Sequence, residues 1–237
     1  ATKDKGIEKE IVETFNRYHP EDRVISLSLL EVLSKTLKEF KTVDSFKMAL
    51  AKKTLGELYA SVGKGEEAID SLKEAIDDYD KALEIKPDYA RAYNNRAIAK
   101  QTLGKLYTSV GKGEEAIKSF NSAYLDLKEL LHIYKESQGF WGMLEIYPRL
   151  IDLGVKAKNR DYQELAEYIE DFLGLFEALA PEGRKRGIIH FFVKEKTLDN
   201  LDLSVIKAYI KAPISRKRLD EFIEMYEIVK ELMEKEV

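Results

Sequence analysis

One segment of this sequence occurs twice in nearly identical form. Residues 54–69 read TLGELYASVGKGEEAI and residues 102–117 read TLGKLYTSVGKGEEAI, so 14 of 16 positions are identical at an offset of 48. Repetition at a fixed spacing within an amphipathic helical pattern predicts stacked helical hairpins, because one hairpin alone cannot bury its apolar face. Such stacks are usually binding scaffolds. The repeat therefore predicts the architecture and the general role, and it leaves the partner open.

The composition excludes several classes of protein. A chain of 237 residues can bury a sizeable core, and the absence of cysteine removes disulfides, thiolate zinc sites and cysteine nucleophiles. The net charge of −4 disfavours a dedicated nucleic-acid-binding protein. No apolar run approaches the ~18 residues of a membrane span, and no leader-like start is present. We therefore expect a soluble cytoplasmic protein, and its high Lys, Glu and Ile content fits a heat-loving host.

Apolar residues recur at helical spacing through most of the chain. Two Gly-Lys-Gly segments and Pro87 separate the helical stretches, since glycine and proline interrupt helices. The predicted helices in the repeat region cover about 42–62, 66–85, 89–110 and 114–134. A further step of 48 residues from Tyr93 leads to Trp141, which predicts a third hairpin over about 138–178. Pro148 within it predicts a first helix that is kinked or split.

The segment that joins the two copies, DYDKALEIKPDYARAYNNRAIAKQTLGK at residues 78–105, resembles the tetratricopeptide repeat family. The matching positions are small residues where paired helices cross, an aromatic wedge and a helix-ending proline, namely Ala82, Pro87, Tyr93, Ala97 and Gly104. The resemblance implies an all-α, right-handed superhelical stack of antiparallel helix hairpins. The usual period of the family is about 34 residues, so we interpret the spacing of 48 as roughly two added turns in each helix.

The rest of the chain is expected to complete this stack. We predict N-terminal helices of the solenoid over 1–41, the lengthened repeats over 42–178 and a C-terminal helical cap over 179–237, because the last apolar face of a solenoid needs a cover. Within the cap, helices are predicted over about 200–212 and 215–235. The apolar segment IIHFFV at 188–193 fits either a helical turn or a short strand.

The resemblance also implies a binding groove. In this family the inner face of the first helix of each hairpin usually contacts an extended peptide or a partner helix, and an asparagine there often bonds the peptide backbone. The residues that match this face are Arg91, Asn94, Asn95, Ile98 and Gln101, with Lys47 in the preceding copy. Adjacent asparagines in a helix are unfavourable by propensity, which favours a role in binding over a merely solvated polar face.

A basic region provides a second hypothesis. Residues 181–220 carry a local charge of +5, and the basic clusters in it are Arg184, Lys185, Arg186, Arg216, Lys217 and Arg218. Such asymmetry is typical of contact with nucleic acid or an acidic protein, or of a basic helix end that lies against the acidic helices of its own chain. Self-association through the groove or a terminal face is a third alternative.

Catalytic signatures are absent from the sequence. His19, His132 and His190 share no metal-ligand spacing, and the Gly-Lys-Gly segments lack the remaining residues of a phosphate-binding loop. The carboxylates lie among lysines, so no isolated acid–base pair stands out. We therefore expect a binding protein with no enzymatic activity, no cofactor and no metal.

Overall fold

The computed structural model describes residues 32, 45–158, 162–179, 217–224 and 227. All regular secondary structure in these residues is helical, which confirms the predicted all-α class. The helices with defined bounds are α1 (Ser45–Ser61), α2 (Gly65–Ile85), α3 (Ala90–Ser109), α4 (Gly113–Glu136), α5 (Phe140–Lys156) and α6 (Tyr162–Leu179). Residues 217–224 are also helical. The predicted N-terminal helices, the segment 188–193 and the helix at 200–212 lie outside the described residues.

The chain divides into two compact units, Ala1–Pro87 and Asp88–Val237. The first unit contains α1 packed against α2, which form the first hairpin. In the second unit α3 packs against α4, α4 against α5, and α5 against α6, so the second hairpin is α3–α4 and the third is α5–α6. The predicted division into three segments, with boundaries near residues 41 and 178, stays a prediction.

The two Gly-Lys-Gly segments end one helix and begin the next. After α1, the Lys64 N–H donates to the Tyr59 carbonyl at 2.9 Å and the Gly63 N–H donates to the Ala60 carbonyl at 3.2 Å. This pair of bonds satisfies the last carbonyls of the helix and requires a left-handed residue, which is Gly63 at φ +79°. Gly111 adopts φ +76° at the equivalent position between α3 and α4. The local sequence therefore explains both turns.

Two glycines allow the helices of a hairpin to approach closely. A Cβ atom on Gly56 would lie 2.7 Å from Leu72 Cγ, and one on Gly104 would lie 2.6 Å from Phe120 Cε1. The two glycines are 48 residues apart, and so are the two side chains that they contact. Small residues along the second helices are also buried, as predicted from the repeat: Ala68, Ala75, Ala116 and Ala123.

We expect Gly104→Ala to destabilise the protein because the added methyl group overlaps the ring of Phe120. Overpacking of this kind costs about 1–3 kcal/mol, against a gain of about 1 kcal/mol in helix propensity. Gly174 is the matched control, since it lies on the exposed side of α6 with no atom within 4 Å of the point where its Cβ would stand. Urea unfolding should show a loss for Gly104→Ala and a gain of about 0.5–1 kcal/mol for Gly174→Ala. Equal stabilisation by both changes would contradict the close contact.

The third hairpin departs from the spacing of the other two. Asp152 lies 48 residues after Gly104, but the glycine that faces the second helix is Gly154, whose Cβ would lie 2.5 Å from Leu165 Cδ2. Helix α5 is continuous through Pro148, so the expected split is not found. Trp141 is 50% exposed and is not wedged between helices as the spacing predicted. The period of 48 residues therefore relates the first two hairpins and is not confirmed for the third.

Buried ion pairs join the two helices of the first and second hairpins. Lys52 Nζ lies 2.8 Å from Asp78 Oδ2, and Lys100 Nζ lies 2.8 Å from Asp126 Oδ2, again at an offset of 48. Burial by itself raises the pKa of Asp78, but hydrogen bonds from lysine ammonium groups outweigh it, and the net pKa is lowered. In the second hairpin Arg96 also donates to both carboxylate oxygens of Asp126, at 3.0 and 2.6 Å. Each carboxylate thus fixes one helix of its pair against the other.

A second carboxylate cluster joins α6 to α4. Tyr124 and Lys128 of α4 donate to the carboxylate of Glu164, and Tyr168 of α6 adds a third hydrogen bond at 3.1 Å. Burial alone raises the pKa of Glu164, but these three donors lower it overall. The third hairpin is therefore held on the second by polar contacts as well as by apolar packing.

Candidate functional site

Five of the six predicted groove residues lie on one side of α3. Their spacing of three and four residues places them on a common helical face, and we name this set the α3 polar face: Arg91, Asn94, Asn95, Ile98 and Gln101. Arg91 is exposed and the other four are partly exposed. Lys47 is exposed on α1, in the other compact unit. The candidate site is therefore the α3 polar face alone.

Asn95 directs one end of its side-chain amide into its own helix. Its Nδ2 donates to the carbonyl oxygen of Arg91 at 2.9 Å. The Oδ1 atom of Asn95 has no hydrogen-bond partner within the described part of the chain. This side chain therefore presents an acceptor on the surface of α3.

Asn94 is held by a residue from the third hairpin. Arg149 Nη1 of α5 donates to Asn94 Oδ1 at 2.7 Å and also lies 3.2 Å from the carboxylate of Glu145. The Arg149 side chain is only 12% exposed. Burial lowers the pKa of Arg149, Glu145 opposes this effect, and a guanidinium stays charged at neutral pH in either case. A charged, buried donor thus fixes the oxygen end of Asn94.

Sequence reasoning missed Arg149, although a signal for it was present. Arg149 lies 48 residues after Gln101, so it is the third-hairpin counterpart of a residue already assigned to the groove. What the spacing does not predict is that it reaches back to Asn94, because that contact depends on how α5 packs beside α3.

The counterpart of Asn94 in α5 offers no polar group. Gly142 lies 48 residues after Asn94, and the ring of Tyr134 from α4 covers it, with Cε2 only 2.5 Å from where a Cβ would stand. The next counterparts, Met143 and Ile146, are 7% and 1% exposed. The polar groups of the second unit's inner helices are therefore concentrated on α3.

The basic region is described only at its end. Arg218 donates to Glu170 at 2.9 Å and to Glu177 at 2.7 Å, both on α6, and to Glu221 at 2.9 Å. This arrangement is a basic helix end lying against acidic residues of its own chain. The side chain of Lys217 is 85% exposed. Four further basic residues lie outside the described residues: Arg184, Lys185, Arg186 and Arg216.

The described residues offer no metal site and no membrane span. None of the groups of His, Asp and Glu found there could hold a metal ion. His132 lies 3.3 Å from Glu136 on the exposed side of α4. No helix in the described part of the chain is both long enough and apolar enough to cross a membrane.

Known proteins share the repeat and the fold. A family model described as TPR repeat matches residues 70–104. A crystal structure of nearly identical TPR-like repeats from Podosopora anserina, described as those of a putative kinesin light chain, aligns with a TM-score of 0.51 at 15% identity and covers 86% of this chain and 87% of that one. The structure of BtubC (BKLC) from P. vanneervenii aligns with a TM-score of 0.46 at 16% identity over 88% and 74% of the two chains. No curated protein sequence matches this chain.

Proposed function

We propose that this chain, which carries a tetratricopeptide-type repeat in a TPR-like helical fold, binds a segment of a partner protein on the α3 polar face. Tetratricopeptide repeats generally mediate protein–protein interaction, and TPR-like proteins are typically scaffolds without catalytic activity. The match covers only residues 70–104, so the partner and the binding surface are part of the proposal.

The observation that carries this proposal is the state of the amides on α3. Within the described residues, the side chain of Gln101 makes no hydrogen bond, and Asn94 and Asn95 each make only one. A side-chain amide can make up to four hydrogen bonds, so these groups have unused capacity. They are mounted on a helix and, for Asn94, braced by a buried arginine. Such preorganisation limits the side-chain entropy that is lost on binding.

The proposal is tested by the double change Asn95→Ala with Gln101→Ala. Neither side chain bonds another helix in the described structure, so we expect the unfolding midpoint to remain unchanged. We expect affinity for a partner to fall by about tenfold or more, as for the loss of about 1.4 kcal/mol of hydrogen bonding. Partners would be captured from a native host extract, identified by mass spectrometry and titrated against both proteins.

Asn121→Ala is the matched control. Asn121 is an exposed asparagine of α4 that makes no side-chain hydrogen bond within the described residues. If the double variant captures the same partners with unchanged affinity, the α3 polar face is not the binding surface. If Asn121→Ala weakens binding as much as the double variant does, the effect is not specific to that face.

The nucleic-acid hypothesis receives no support from the described residues. Arg218, the best defined member of the basic region, already donates to three glutamates. Retention of labelled RNA or DNA on filters at low salt, lost at moderate salt, would favour that hypothesis instead.

A further inference from the structure

The two adjacent asparagines of α3 are engaged at opposite ends of their amides. Asn94 accepts from Arg149 through Oδ1, and Asn95 donates to the Arg91 carbonyl through Nδ2. Chemistry determines these orientations, because a guanidinium cannot accept and a carbonyl cannot donate. Asn94 is therefore left with N–H donors and Asn95 with a carbonyl acceptor.

We propose that Arg149 is a positioning residue that fixes the Asn94 amide, so that α3 presents a donor beside an acceptor to the backbone of an extended peptide. This inference rests on the proposed function and names the chemistry of the partner segment. The bond from Arg149 is 2.7 Å long and comes from a side chain only 12% exposed. Without it, rotation of the Asn94 amide by half a turn would exchange donor and acceptor at little cost.

An extended peptide is the segment that fits a neighbouring donor and acceptor. In an extended chain each residue has a free C=O and a free N–H, whereas the interior of a helix has already paired both. Peptide recognition through main-chain hydrogen bonds is a general mode of binding. A phosphate backbone offers acceptors alone, so it would leave Asn95 Oδ1 without a partner. The arrangement thus favours an extended peptide over a helix or a nucleic acid.

The change Asn94→Asp separates positioning from binding. A carboxylate still accepts from Arg149, with a stronger charge-assisted bond, so we expect unfolding to be unchanged or shifted to higher urea. The same change removes the N–H donors that would contact the peptide. The probe is a dodecapeptide selected by phage display of a random library on the wild-type protein. Its affinity for Asn94→Asp should fall by about tenfold or more.

Further variants test the role of Arg149 itself. Arg149→Met should weaken the same dodecapeptide to a similar extent, and adding Asn94→Asp should cause little additional loss, because both changes remove one presented donor. Arg149→Lys should restore part of the affinity, since an ammonium also donates to Asn94. A dodecapeptide N-methylated at a single backbone amide should lose affinity for the wild-type protein, because it cannot donate to Asn95.

The outcomes distinguish this inference from the function on which it rests. If the selected peptides need Asn95 and Gln101 but bind Asn94→Asp as well as wild type, the positioning role is wrong and the binding face stands. If they bind the Asn95→Ala, Gln101→Ala variant equally well, the proposed face is wrong too. Peptides that become helical on binding, or a selection that yields no binder, would overturn the extended-backbone inference.

Discussion

Asp126→Ala is expected to destabilise the second compact unit by about 3–5 kcal/mol, because removal of one member of a buried ion cluster leaves its partners without compensation. The carboxylate side chain is only 4% exposed, and its partners Arg96 and Lys100 are 15% and 12% exposed. After the change, two cations of α3 face each other at the contact with α4. Both the lost hydrogen bonds and the like-charge repulsion act against the folded state.

The first hairpin supplies a control for this prediction. The counterpart of Arg96 at an offset of 48 is Met48, so in that hairpin the buried aspartate pairs with the equivalent lysine and has no arginine. Arg96→Met copies that arrangement and leaves Lys100 to neutralise Asp126. We therefore expect Arg96→Met to cost less than about 2 kcal/mol, the range for loss of hydrogen bonds to a charged group.

The measurement is urea unfolding followed by tryptophan fluorescence. The chain contains one tryptophan, Trp141 of α5, so the signal reports the second unit separately from the first. A loss of less than about 1 kcal/mol for Asp126→Ala, or an equal loss for both variants, would show that the cluster behaves as an exposed salt bridge.

Phe172→Ala is expected to cost about 3–5 kcal/mol through loss of a fully buried aromatic side chain. Phe172 of α6 and Phe222 of the C-terminal helix are both 0% exposed, and their rings meet edge to face with centroids 5.7 Å apart. The change leaves a cavity between α6 and residues 217–224. We therefore expect this helix to become accessible to protease as the protein is destabilised.

Phe172→Leu is the control for Phe172→Ala, since it preserves most of the volume and should cost less than about 1.5 kcal/mol. A cycle with Phe222→Ala measures the coupling between the rings, which we expect at about 0.5–1.5 kcal/mol. Independent, additive losses at the two positions would show that the C-terminal helix does not cover α6 through this contact. The predicted capping role of the C-terminal segment would then lose its main support.

The helical hairpins could be predicted because their signals are local or repeated. Gly63 and Gly111 end helices by their backbone conformation, which depends on immediate neighbours alone. Gly56 and Gly104 announce a close helix crossing through their shared spacing. The buried aspartates carried the same signal, since Asp78 and Asp126 interrupt apolar stripes at an offset of 48. Their lysine partners could have been found in the same way.

The departures of the third hairpin arise where the repeat has diverged. Position 152 holds an aspartate where the other hairpins have a glycine, and the close approach occurs at Gly154. A fixed offset cannot report such a shift, because the new register follows from the packing of α5 on α6. Trp141 was misplaced for the same reason, as sequence spacing alone assigned it to a contact between helices, whereas its side chain is half exposed.

By itself the sequence determined the all-α class, the helix boundaries around the glycine pairs and the face of α3 that carries Asn94 and Asn95. Each of these depends on interactions within a few residues or on a spacing that is visible in the chain. Only the tertiary structure decided the state of that face, because the hydrogen bond from Arg149 to Asn94 joins residues 55 positions apart in the chain. Packing of α5 beside α3 brings that guanidinium to the amide, and it thereby selects which hydrogen-bonding group the surface presents.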